Sequence, residues 1–113
     1  MNNRIPELNR DWFRGLDKYN IQSGDKFYSA SKYVAGDFGK VLKAFVSELP
    51  KNPLIVSNKE ELSGIVGFDG DPMISVKFDE VAKRYAVSKG YDGIFYHEGT
   101  FEEPELHVFK KKK

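Results

Sequence analysis

The chain contains no cysteine. Disulfides, zinc thiolates and a cysteine nucleophile are thereby excluded, and a reducing compartment suits the composition. A charge bias is missing as well: 18 Lys and Arg against 17 Asp and Glu leave a formal net charge of +1. A dedicated nucleic-acid binder carries a basic excess, so nucleic acid is not an expected partner. No apolar run approaches membrane-spanning length, and "MNNRIPELNRDWF" at the start has no signal-peptide core. The expectation is a cytoplasmic protein without a membrane partner. Walker, GxSxG and GxGxxG motifs are absent, as are internal repeats and low-complexity linkers.

What is present suffices for one core. The 113 residues are 40% hydrophobic and 14% aromatic, the size of a single domain. Residues 1–10 are polar and expected to be loosely ordered, and Lys110 to Lys113 read as a solvated basic tail. Between them the expected class is α+β, with more strand than helix.

"DWFRGL" (11–16) is an aromatic-rich strand candidate, 17–25 a loop, and "KFYSAS" (26–31) a second strand. "SKYVAGDFGK" (31–40) suits a short helix capped by Ser29 or Ser31. "KVLKAFVSEL" (40–49) fits neither period cleanly. It is assigned to a strand because the β-branched run in "PKNPLIVS" (50–57) follows a turn and is expected to pair beside it. Asn58 is placed to cap a helical turn over 58–64, and "FDGDPM" (68–73) is a loop. In "KFDEVAKRYAVSKG", Phe78, Val81, Ala82, Tyr85 and Ala86 form one helical stripe stopped by Gly90. "GIFYH" (93–97) and "PELHVF" (104–109) are closing strands around an acidic loop.

His97 and His107 would approach each other only if both strands turned them inward. Two histidines are a weak ligand set, so no metal site is assigned. The Asp69-Gly70-Asp71 stretch lacks calcium-loop spacing.

Three pieces carry candidate chemistry. Arg14-Gly15 pairs a cation with a residue that permits close approach of a ligand. Ser29-Ala30-Ser31 ends a strand where a helix would begin. Glu103-Pro104-Glu105 leads into an apolar strand. Singly, each has a plain reading as a surface ion-pair partner, a helix cap and loop charge. Together and in this order they resemble the ADP-ribosyltransferase superfamily, in the arginine-serine-glutamate pattern of small bacterial toxin and phage members. "WFRG" (12–15), "FYSASKYVAGDFG" (27–39), "FVSELPKNPLIV" (45–56), "GYDGIF" (90–95) and "ELHVF" (105–109) carry the resemblance, which spans residues 12–109. It departs from many arginine-modifying members at Ala30, and Pro104 stiffens the segment between the two glutamates.

The resemblance implies a split β-sandwich that binds nicotinamide–adenine dinucleotide (NAD) as a substrate in a cleft between its sheets. Arg14 would contact its phosphates or ribose, and the Gly15 backbone the nicotinamide amide. Ser29, with Ser31 in the same motif, would fix the glutamate or the ribose, and Tyr28 or Phe38 would stack on the nicotinamide ring. Glu105 would stabilise the cationic ribose as nicotinamide leaves, and Glu103 would activate the acceptor. The implied activity is mono-ADP-ribosyl transfer to a target protein, arginine favoured, by a phage or toxin modifier of host proteins. The competing expectation is a catalytically inactive protein of the same fold that binds or inhibits a host protein.

Overall fold

A computed structural model of the chain describes residues 11–15, 25–31, 41–43, 49–72, 76–99 and 103–109, with only the backbone described at 14–15, 41–43 and 76. The expected helix over 31–40, most of the loop over 17–25, and both chain ends lie outside these residues. The described part is an α+β domain. Strands β1 (Phe13–Gly15), β2 (Lys26–Ser29), β3 (Val41–Lys43) and β4 (Pro53–Asn58) are followed by helices α1 (Lys59–Val66) and α2 (Val76–Ser88). Strands β5 (Gly93–Glu98) and β6 (Glu105–Val108) close the chain. All six strands join one mixed sheet in the order β3-β1-β2-β6-β5-β4.

The pairing of β4 corrects the sequence reading. It does not lie beside β3, which pairs with β1 at the far edge; it pairs in parallel with β5, Pro53 opposite Gly93 through Asn58 opposite Glu98. Parallel strands need a long crossover, and α1 and α2 supply one. The start of the pair is clamped by Asp92, whose carboxylate accepts the Lys51 N–H at 2.8 Å and the Asn52 N–H at 2.9 Å. Asp92 N–H donates in return to the Asn52 carbonyl at 3.1 Å. Gly93 is required beside it, since a Cβ there would lie 2.8 Å from the His107 carbonyl oxygen.

The helices form where their caps and stripes demand. Asn58 adopts extended backbone and accepts the Glu61 N–H at 2.8 Å, while Glu61 reaches back to the Ser57 N–H at 2.9 Å. This helix is longer than the expected turn: it passes through Gly64 and stops at Gly67, whose φ of 71° closes the end. Helix α2 buries Phe78, Ala82 and Ala86 of the expected stripe, with Val81 and Tyr85 half-buried, and ends before Gly90 at φ 89°.

Side chains alternate across the sheet, so each face has its own core. Val56, Ile94, Tyr96 and Phe109 pack with Leu62, Phe78, Ala82 and Ala86 under the helices. Trp12, Tyr28, Phe95, Leu106 and Val108 form a second cluster on the opposite face, where Trp12 meets Phe95 edge-on at 5.9 Å. No described helix is long and apolar enough to cross a membrane.

Candidate active site

Strands β2 and β6 run antiparallel with Ser29 directly opposite Glu105, and Glu105 is in turn opposite Tyr96 of β5. Residues opposite one another share a face, and the placement of Tyr96 in the helix-side core makes this the helix face. The two motif segments are also joined through the backbone: the Ala30 N–H donates to the Pro104 carbonyl at 3.0 Å. The Ser29 hydroxyl accepts the Ser31 N–H at 3.1 Å, a local turn that fixes the serine at the strand end. Glu103 is half-buried at the turn before β6, its carbonyl accepting the Gly99 N–H at 2.7 Å.

Glu105 is 7% exposed, and its Oε2 lies 3.0 Å from Nζ of Lys59, which is 5% exposed. Lys59 opens α1 immediately after β4, and its ammonium also sits 5.7 Å from the centre of the Tyr96 ring. The carboxylate is thus paired with a buried cation and shielded from water. When ionised, a carboxylate so placed can stabilise a neighbouring positive charge.

Polar groups continue along the same face. Asp79, in the first turn of α2, has its pKa raised from 3.8 to about 7, first by burial, with Lys59 opposing and Glu105, Asp25 and Glu80 adding. Burial, then Asp79 and Glu105, push the Tyr96 hydroxyl well above its ordinary value. Asp79 Oδ1 and the Tyr96 hydroxyl are buried with no hydrogen-bond partner among the described residues. Further along β6, His107 Nε2 lies 2.9 Å from Asp25 Oδ2, and Lys83 Nζ lies 2.8 Å from Asp25 Oδ1. Burial lowers the His107 pKa, against the opposing hydrogen bond to the Asp25 carboxylate. Phe27 stacks on the imidazole at 4.1 Å.

The structure thus brings Ser29 and Glu105 together, with the Ser31 and Glu103 backbones beside them. Arg14 and Gly15 lie on β1, the strand next to β2, but the β1 residue opposite Ser29 is Phe13, so the Arg14 position falls on the other face of the sheet, with Trp12 and Tyr28, and does not join Ser29 and Glu105. Tyr28 does not join them either. It is 1% exposed in the cluster on the other face, because it alternates with Ser29 along β2. Phe38 lies outside the described residues. His97 and His107 do not meet: His97 alternates with Tyr96 and stands edge-on to Phe95, on the face away from His107.

Lys59, Asp79, Tyr96 and Asp25 were not singled out by the sequence. One signal was available for Lys59. A cation in the first turn of a helix opposes the helix dipole, so a lysine between Asn58 and the acidic pair Glu60 and Glu61 breaks the local pattern. No protein-family model, curated protein or solved structure matches the chain.

Proposed function

We propose that the chain is an NAD-dependent mono-ADP-ribosyltransferase acting on a protein side chain, with arginine the favoured acceptor. The observation that carries this reading is Ser29 directly opposite Glu105 on neighbouring strands, with the Arg14 strand adjacent to β2. Residues far apart in sequence, and linked beforehand only by the family pattern, fall on three consecutive strands of the sheet.

In this reading the Gly15 backbone holds the nicotinamide amide, while the Arg14 position alternates to the face away from Ser29 and Glu105 and takes no phosphate role on this face. Ser29, tied back by Ser31, orients the ribose hydroxyls beside Glu105. The bond between ribose C1′ and the nicotinamide nitrogen breaks, and nicotinamide leaves with the electron pair. Glu105 stabilises the positive charge left on the ribose. An acceptor nitrogen then bonds to C1′ and gives up its proton to Glu103. The ADP-ribosyltransferase-like split sandwich, Phe38 as a stacking ring, a cytoplasmic site of action and host proteins as targets belong to the same proposal. Tyr28, buried on the other face, has no part in it.

One observation favours the second reading, a non-catalytic binding module or inhibitor of a host protein. The Glu105 carboxylate is nearly inaccessible and already bonded to Lys59. Incubation with labelled NAD and a bacterial lysate separates the two, with Glu105→Gln as the control. Nicotinamide release together with a labelled protein band, both lost in Glu105→Gln, is the transferase outcome. No release, no label and no rise in melting temperature with NAD would leave the binding module.

A further inference from the structure

We infer that Lys59 is a positioning residue for Glu105: it fixes the carboxylate by Oε2 and keeps it ionised, an assignment that rests on the transferase reading. A lysine is almost never fully buried without a reason, and this one is 5% exposed at a helix start where its charge opposes the helix dipole. Neither local propensity nor the fold of α1 asks for a cation there. Asn58 and Glu61 already cap the helix, and the acidic residues Glu60 and Glu61 suit its N-terminus.

What the cation does serve is Glu105, whose Oε2 is 3.0 Å from Nζ. On the other side the carboxylate is walled by Gly99, where a Cβ would lie 2.9 Å from Oε1. The carboxylate is thus flanked by Lys59 and the Gly99 backbone. A buried ion pair is poor evidence of stabilisation, since a well-packed apolar pair of the same volume does as well or better. A rule broken locally without gain in stability is expected at a site that uses the group. The other titratable neighbours of Glu105 include Asp79 on α2, Tyr96 on β5 and His107 on β6. An opposite charge 3.0 Å away favours the ionised carboxyl, the form that can stabilise a cationic ribose.

The test compares wild type with Lys59→Met and Lys59→Arg in two independent assays. The first is nicotinamide release from NAD. Lys59→Met is expected to lower kcat ~10- to 100-fold, as for loss of a supporting group, with KM for NAD within about threefold. Lys59→Arg should recover most of the loss. The second follows the Glu105 carboxyl carbon by NMR across pH. Its midpoint should rise by about 1–3 units in Lys59→Met, the loss of a neighbouring opposite charge, and return toward wild type in Lys59→Arg. A folded Lys59→Met with unchanged kcat, or an unmoved Glu105 midpoint, overturns the assignment. Should Lys59→Met fail to fold, the wild-type Lys59 Nζ resonance decides. It should shift at the Glu105 midpoint, and its indifference to that titration would overturn the pairing. A wild type that releases no nicotinamide sinks the transferase reading instead, and the carboxyl titration still decides whether Lys59 governs Glu105.

Discussion

Gly99 lies against Glu105 with no room for a side chain: a Cβ at residue 99 would overlap the Glu105 Cβ. Its N–H closes the acidic loop by donating to the Glu103 carbonyl at 2.7 Å. The backbone at Gly99 is therefore a wall of the pocket that holds the carboxylate. Gly99→Ala is expected to cost about 1–3 kcal/mol, the usual range for overpacking a filled site. It should also displace Glu105 from Lys59, so any nicotinamide release should fall with it. Urea denaturation and NAD turnover of the variant check both. An alanine variant as stable and as active as wild type would mean that the loop gives way at no cost.

The clamp formed by Asp92 makes a separate prediction. Its carboxylate holds the Lys51 and Asn52 N–H groups at the point where β4 begins its parallel pairing with β5. Hydrogen bonds to a charged acceptor are stronger than neutral ones, but these are exposed to solvent. Asp92→Ala should therefore cost about 1–2 kcal/mol, with faster amide exchange at Lys51 and Asn52 and little change at β6. Asp92→Asn, which keeps one carbonyl acceptor, should lose less. Unaltered exchange at both amides would show that the turn holds without the carboxylate.

How much of this was legible in the sequence follows the range of each interaction. Helix α2 and the Asn58 cap are local, set by spacing within a turn or two, and both were readable. The pairing of β4 was misread because adjacency along the chain suggested β3, whereas the Asp92 clamp and the helical crossover direct β4 to β5. "GYDG" entered through a resemblance, yet each residue has a structural task. Gly90 ends α2, Tyr91 packs on the core, Asp92 clamps the turn, and Gly93 makes room for the His107 carbonyl. The meeting of Ser29 with Glu105 was readable only through family order, since no local rule sets strand neighbours. Lys59 joined them unannounced. Its partner is distant in sequence, and periodicity carries no information about such a contact.

His107 gives the fold an acid-sensitive element. Burial lowers its pKa below 6.5, and the Asp25 hydrogen bond only partly offsets this. The unfolded chain therefore binds the proton more readily, and the stabilisation, fully present above pH 6.5, is lost as pH falls through the folded value. His107→Gln should destabilise the protein near pH 7.5 by loss of stacking on Phe27 and of the Asp25 contact. The gap between variant and wild type should then narrow toward pH 5. Denaturation midpoints for both proteins across that range test it, and a gap independent of pH would mean that folding leaves the His107 pKa unshifted.

Asp79 acts in the opposite direction. Its pKa rises from 3.8 unfolded to about 7 folded, chiefly through burial, so folding favours the protonated carboxyl. The associated stability is fully present below about pH 3.8 and is lost as pH climbs through about 7. At 1.36 kcal/mol per unit, the whole span is on the order of 4 kcal/mol. Asp79→Asn mimics the neutral acid, so it should match wild type near pH 4 and exceed its stability increasingly up to pH 8. Measuring the difference between the two proteins cancels the His107 contribution, which both share. The neighbouring charges add a finer check: Glu105→Gln removes a like charge and should move the midpoint of that difference downward, whereas Lys59→Met removes the opposing cation and should move it upward. A difference that stays flat from pH 4 to 8 would refute the burial of an ionisable Asp79, and midpoints indifferent to Lys59 and Glu105 would separate it from their cluster.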